Sequence, residues 1–591
     1  MDLYTPTSPD MRLPTSPEIP PTEGTPEQQL QEDQYGHIHG GASEFAFLHY
    51  TKQKLASLST VPILFSDYPL AGSDTLPPIL PSKVIADDIV RNYFDFGLTT
   101  SRFVHERSLL DQYERLYSDT QTEKISADNA ALVYMVMALG SHYSKHNNTF
   151  CGYASRSAKS MADAVSVQML ILYSVRFYDM ANQQLQNKSS EITFASLQTR
   201  LRATHYLLNH SRMHEAWSSF GIVVRHAHAL GLHRRSAVQN NNHVAYEYRK
   251  RLFWTIYIND RILSSVFGRP CALHDDDIDQ AECTLANDED ISASACRPTG
   301  GSDFCATAAM VHYARVARIL GKVLRKFYSP TARSMSMANL HAEAAEFEQR
   351  LAVWQDNLPS YLDFSSLPPS AMTVVIQRQM CTLKLAFAHT SLLLYRPFIV
   401  YSIGANAEKT SGLEDWIRRC HDKAIEAAKT VVSKCRYLCR HGLFSRVFWL
   451  VNYVQFAAIG TLYTYSHLWP DTDHIREIAE EAMTQFPIGV EGDPVGQRYL
   501  EILTELREIT ARPGAKTVQP APSFKEVPAT EDFQFDFNGP WSNLFFDATN
   551  MFGHEPTFND LSARLERNKR EEKADTMKNL SASSSSRTAM K

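Results

Sequence analysis

RKRLFWTIYINDRILSSVFGRPCALHDDDID, residues 249–279, is the stretch from which the fold can be read. Phe253, Ile256, Leu263 and Phe267 return at helical spacing, so this segment and the residues just before it form an amphipathic helix. The pattern stops at Gly268–Arg269–Pro270, where glycine and proline end helices. The same grammar repeats outward. In MHEAWSSFGIVVRHAHALGL (213–232), Ala216, Phe220, Val223, Ala227 and Leu230 share a face, and Gly231 stands where a helix C-cap glycine belongs. In SKVIADDIVRNYFDF (82–96), Ser82 is an N-cap candidate ahead of Ile85, Ile89 and Tyr93. Helical patterns also cover 307–328, 338–357, 372–396, 414–439 and 444–466, and convincing alternating strands are few. The expected fold is all-α: a large multi-helix domain over 82–512 with disordered N- and C-terminal tails.

The flanks differ in composition. Residues 1–34 are acidic and rich in proline, have no apolar core of a signal peptide, and carry too little apolar surface to offset ordering entropy. Residues 35–81 read as a linker around one short motif, GHIHGGASEFAFLHY (36–50). Residues 513–530 (PGAKTVQPAPSFKEVPAT) are a second linker, and 561–591 a disordered tail ending in serines. Between them, 531–560 interleaves acids with Phe533, Phe535, Phe537, Trp541, Leu544, Phe545 and Phe546, and 531–555 has no Lys or Arg. Acids keep such aromatics solvated until they fold onto a partner groove, which marks an activation segment that docks coactivators through 531–555. Packing back onto the helical body is the simpler alternative.

Several function classes are disfavoured. The net charge of −6 shows no concentrated basic face. Val447–Pro470 contains no Asp, Glu, Lys or Arg, but Asn452, Gln455, Gly460 and His467 make it a buried central helix and not a membrane span. The nine cysteines form no C-x-x-C, and Cys435 and Cys439 lie one turn apart in an apolar pattern, as packed thiols do. His205, His210, His214, His226, His228 and His233 crowd one region without H-E-x-x-H. There is no G-x-S-x-G, and GHIHGGASEF lacks a phosphate-cradle pattern. The sharpest enzyme lead is Asp275, Asp276 and Asp279, which fit D-D-x-x-D, the magnesium–diphosphate motif of all-helical terpene and prenyl synthases. It follows a turn instead of lying on a helix, and no second metal motif follows it. A magnesium-dependent enzyme of that kind is the alternative function; an acidic loop is the plainer reading.

Read in order, HGGASEFAFL, residues 80–117, residues 202–234, residues 249–279 and LKLAFAHTSLLLYRPF (383–398) resemble the fungal-specific transcription factor domain, the middle homology region of fungal zinc-cluster regulators. The match is best at Arg249, Arg251, Trp254, Tyr257, Asp260, Arg261, Gly268, Arg269 and Pro270, and again at Arg396–Pro397–Phe398. The resemblance implies a non-enzymatic nuclear regulator of RNA polymerase II-dependent transcription, an activator type with a metabolic or secondary-metabolite pathway as context. The marked residues then brace the domain. Asp260 should not be buried unpaired, with Arg251, Arg261 or Arg269 as candidate partners, and Gly268 and Pro270 shape the turn. The family's six-cysteine zinc cluster is not matched, since no cysteine precedes Cys151. No cofactor is therefore expected in this chain. DNA is contacted directly only if a missing first exon supplies the cluster, and otherwise through a DNA-bound partner. Arg564–Lys573 is too diluted by Glu to replace it. The resemblance leaves room for a homo- or heterodimer, and no membrane association is expected.

Overall fold

A computed structural model describes residues 31–32, 37–55, 80–97, 99–118, 125–147, 167–186, 192–235, 242–300, 304–363, 372–404, 414–444, 449–469 and 472–511. Fifteen α-helices occupy these residues: α1 Glu44–Leu55, α2 Lys83–Gly97, α3 Glu106–Tyr117, α4 Ala127–Asn147, α5 Val167–Gln186, α6 Phe194–Asn209, α7 Met213–Ala229, α8 His243–Phe267, α9 Ala308–Phe327, α10 Met337–Asp356, α11 Val374–Gly404, α12 Glu414–Arg440, α13 Trp449–Leu468, α14 Asp473–Val490 and α15 Pro494–Ala511. The fold is all-α. A two-residue antiparallel ladder, β1 Gln31–Glu32 with β2 Ile38–His39, precedes α1. Residues 531–560, read above as an activation segment, with their aromatics, the linker at 513–530 and the tail at 561–591 lie outside the described residues.

Local chemistry sets the helix ends. α7 closes with a Schellman motif: Leu232 N–H reaches Ala227 O at 2.9 Å and Gly231 N–H reaches His228 O at 2.9 Å, with Gly231 at φ +64°. α8 begins at Asn242, whose side chain accepts from Ala245 N–H at 3.2 Å, and ends at Gly268, also at φ +64°. α6 opens on a capping box between Thr193 and Ser196.

Packing follows chain order. α2 and α3 lie on α4, α4 on α5 and α6, and α6 on α7; α8 packs on α9, α9 on α11, α11 on α12, and α12 to α15 close the second half. One contiguous apolar core runs through both halves. α13 is buried at every residue from Asn452 to Thr464, and no helix among the described residues is long and apolar enough to cross a membrane. The cysteines described are free; Cys435 is buried, Cys439 half-buried, and burial pushes both thiols up, Cys439 to about 11.

The structure differs from the sequence reading at 35–81. That span contains α1, which packs on α11, α13 and α15 and buries Phe45, Phe47 and Leu48. A twelve-residue helix of mixed polarity shows no face from its own sequence. It is held by what it meets: Glu44, fully buried, forms an ion pair with Arg396 of α11, Arg396 also donates to Ala42 O at 3.2 Å, and Glu44 N–H donates to Tyr453 Oη at 3.2 Å. The next residue, Pro397, lies inside α11 and cannot donate to Leu393 O, four residues back. Tyr328 Oη donates to that carbonyl at 2.7 Å and takes the missing amide's place.

Burial pushes the Glu44 carboxyl up to about 7 from an ordinary value of 4.5, against the lowering pull of Arg396. In the unfolded chain this group ionises first as pH rises, so its contribution to folding is fullest below pH 4.5 and is lost as pH passes 7. Glu44→Gln removes that dependence. In urea titrations, the stability of the variant relative to the natural chain should climb by on the order of 3 kcal/mol between pH 4.5 and pH 8.

Candidate functional site

The marked residues converge on α8 and on the irregular stretch that follows it. Nineteen of the helix's twenty-five residues are buried, among them Glu247, Lys250, Arg251, Asp260 and Arg261. Charged groups at such depth require partners. They find them in the connection from α8 to α9, whose described residues hold only two single-turn 3₁₀ elements, Asp275–Asp277 and Asp288–Asp290, and one isolated bridge between Ile291 and Cys296.

Asp260 is fully buried and ion-paired with its neighbour Arg261. It also accepts from Ala272 N–H at 2.9 Å and Leu273 N–H at 3.2 Å. Burial raises the carboxyl, and Arg261 together with the two amides opposes that rise. Arg261 is the hub: it donates to Leu273 O at 2.9 Å and to Asp275 Oδ1 at 2.8 Å, and stacks over Tyr257 at 4.2 Å. Tyr257 Oη donates to the same Asp275 oxygen at 2.7 Å. Of the three arginines suggested as partners of Asp260, the structure selects Arg261. Arg251, fully buried, instead bonds Asp288 at 2.5 Å, Ala286 O at 2.9 Å and Tyr248 Oη at 3.2 Å. Arg269 turns outward, donates to Ile38 O at 3.3 Å, and stacks on Phe267 at 4.8 Å and Trp217 at 5.2 Å.

The rest of the helix acts alike. Trp254 Nε1 donates to Ala281 O at 2.8 Å, Glu247 accepts from Thr284 N–H at 2.8 Å, and Lys250 donates to Thr284 Oγ1 at 3.0 Å. Arg249 reaches back to Leu230 O at 2.8 Å, at the end of α7. The turn after α8 is sealed by glycine. A methyl placed on Gly268 would stand 2.2 Å from Gly40 O, and one on Gly40 would stand 2.1 Å from Gly268 O, so the two backbones touch. Gly40 N–H donates to Phe267 O at 3.3 Å, and Pro270 O accepts from Ser264 Oγ at 3.3 Å. Arg396 and Pro397 lie apart from this cluster, in the α1–α11 contact.

The aspartate triplet does not form a metal cradle, which corrects the enzyme alternative. Asp275 is turned inward onto Arg261 and Tyr257. Asp279 faces Arg234 at 3.1 Å and accepts from Arg235 N–H at 2.7 Å. Asp276 is exposed between them. The D-D-x-x-D spacing would gather carboxylates on a helix face, but here it lies on a 3₁₀ turn that sends the ends opposite ways. Among the described residues no group of three or more His, Cys, Asp and Glu is placed to hold a metal ion. The histidines disperse too: His205 bonds Asn259, His210 stacks on Tyr206 at 4.0 Å, His214 stacks on His37 at 4.0 Å, and His228 meets His233 edge-on at 4.8 Å.

Sequence reasoning missed Glu44, Glu247, Tyr328 and Asp288, all of which serve partners distant in sequence. The signal for Tyr328 was Pro397 itself, since a helix-interior proline leaves a carbonyl seeking a donor. Asp260→Ala should lower stability by about 3–5 kcal/mol, because Arg261 and two buried amides lose their acceptor. Asp276→Asn should leave the thermal midpoint within the spread of ordinary surface changes. Equal midpoints for both variants would contradict the bracing role.

Residues 90–356 match the fungal specific transcription factor domain. The chain is 26% identical over 456 residues to Activator of stress genes 1 of Saccharomyces cerevisiae, covering 75% of this chain and 45% of that protein. It is 28% identical over 416 residues to Activator of stress genes protein 1 of Candida albicans, covering 66% and 40%. It is 25% identical over 329 residues to Transcriptional activator protein acu-15 of Neurospora crassa, covering 56% and 33%. The chain thus spans less than half the length of these relatives. No solved structure matches it. α8, its marked residues and the connection they hold all fall within the span that is similar to the fungal specific transcription factor domain.

Proposed function

We propose that the chain regulates transcription in the nucleus and is not an enzyme. One observation carries this reading: the domain match over 90–356 covers α8 and its bracing network, where every polar group described above serves another part of the fold. The relatives support it, being named as activators of stress genes and as a transcriptional activator. In this reading the helical body governs an activation segment at 531–560, whose Phe533, Phe535, Phe537, Trp541, Leu544, Phe545 and Phe546 contact coactivators through 531–555. DNA is reached through a DNA-bound partner or through a zinc-cluster module joined to this chain, and the chain itself uses no cofactor.

The test is a tethered reporter. The full chain fused to an unrelated DNA-binding domain should raise reporter output, deletion of 531–560 should reduce it several-fold, and 520–560 fused alone should suffice. Silence of all three fusions, expressed and nuclear, would remove the activation reading.

A further inference from the structure

A cavity of about 180 Å³ lies among the end of α2 and the segment after it, α4, α6, α8, α9, α11, the end of α12 and the start of α13. It takes no part in the bracing network, which uses other residues of α8. Its wall is largely apolar, with Phe96, Tyr143, Ile258, Ile262, Tyr313 and Leu385 among the lining side chains. Two guanidinium groups line it, Arg202 and Arg378, and no Asp or Glu does.

The two arginines differ. Arg378 lies over Phe96 at 4.2 Å, donates to Asp95 O at 3.4 Å, and shares its neighbourhood with the Asp95 carboxylate. Arg202 is 2% exposed and stacks over Phe103 at 4.1 Å and Tyr93 at 5.2 Å. Its Nη2 donates to Ser101 O at 2.8 Å and its Nη1 lies 3.3 Å from His205 Nδ1. Its Nε is buried without an acceptor. Among the described residues, no hydrogen bond or ion pair of Arg202 reaches a carboxylate. A cation held out of water without a counter-charge is strongly destabilising, so a fold that keeps one beside a cavity is built for an anion to enter.

The surroundings are consistent with this. An arginine only donates, so His205 Nδ1 must accept, and its Nε2–H then donates to Asn259 Oδ1 at 3.1 Å. Asn259 Nδ2 passes the chain on to Thr255 O at 2.8 Å. His205 is held neutral, its pKa pushed down to about 3 by burial first and by Arg202 next. It adds no second charge, and Arg202, its Nε without an acceptor, has donor capacity left for a carboxylate. The wall is set beforehand: Gln379 Nε2 holds Thr99 O at 2.9 Å, and Gln198 Nε2 holds Phe103 O at 2.6 Å.

We propose that this cavity binds a small organic anion, a monocarboxylate with an apolar body, anchored on Arg202. Since an apolar cavity of ~150 Å³ takes up benzene, the space suits about one ring or a six- to eight-carbon chain with its carboxylate. The ligand would press on Thr255, Ile258, Asn259 and Ile262, which places it against α8 on residues next to Asp260. This inference goes beyond the transcriptional reading, and its test needs no transcriptional output.

The probe is sodium benzoate, titrated calorimetrically into the full chain and followed by thermal shift, with benzyl alcohol as the neutral isostere. Benzoate should saturate and raise the melting temperature, and benzyl alcohol should bind at least tenfold more weakly. Arg202→Met should abolish the preference for the anion. Should that variant fail to fold, Thr382→Phe decides: it fills the cavity, keeps both guanidiniums, and should fold yet show no benzoate-dependent shift. Benzoate that does not saturate by about 10 mM overturns the proposal. So does benzoate binding that survives Thr382→Phe, or equal binding of the acid and the alcohol.

Discussion

Backbone amides and carbonyls that leave regular structure inside a protein must still be satisfied, and in this molecule that demand falls on one helix. The connection from α8 to α9 lies against α8, and its described residues have little secondary structure of their own. α8 supplies what the connection lacks. Asp260 accepts from the amides of 272 and 273, Arg261 and Trp254 donate to the carbonyls of 273 and 281, Glu247 accepts from the amide of 284, and Arg251 donates to the carbonyl of 286. A helix with charges at these depths would be a poor core element alone. Here each charge is matched by backbone dipoles and by Asp275 and Asp288, and the polar residues give the connection one conformation.

The second constraint is closure of the chain ends of the body. α1 is marginal as an isolated helix and is fastened to α11 and α13, hundreds of residues away. An ion pair at such depth adds little net stability, but losing either partner is costly, so it selects a particular seating for α1 over sliding alternatives. Pro397 and Tyr328 show the same logic at smaller scale. A defect in one helix is filled by a hydroxyl from the end of another, which joins α9 to α11 at a fixed point.

Much of this was legible in the sequence. The pattern over 307–328 corresponds to Ala308–Phe327, and that over 414–439 to Glu414–Arg440. Apolar periodicity reports burial directly, and Gly231 and Gly268 reported the ends of their helices because only a residue without a side chain takes that backbone turn freely. The need of Asp260 for a cationic partner was also readable, though geometry chose the adjacent Arg261. The place of α1 and the acid opposite Arg396 were not legible, since the partners lie far off in sequence and no local period encodes them. Asp275, Asp276 and Asp279 were misleading for a related reason. Spacing says how far apart side chains are along the chain, and only the backbone shape says whether they point together. The cavity was invisible to pattern reading altogether, being a space defined by segments far apart in the sequence.

The contact between Gly40 and Gly268 carries a genetic consequence. Each would drive a new β-carbon into the other's carbonyl, so the obstruction is symmetrical and involves main chain on both sides. No exchange of one side chain for another can relieve it, and shrinking the opposite residue is impossible because it is already the smallest. A lesion at either position therefore has no reciprocal suppressor at its mate. Revertants should restore glycine or arise where the N-terminal segment itself is repositioned.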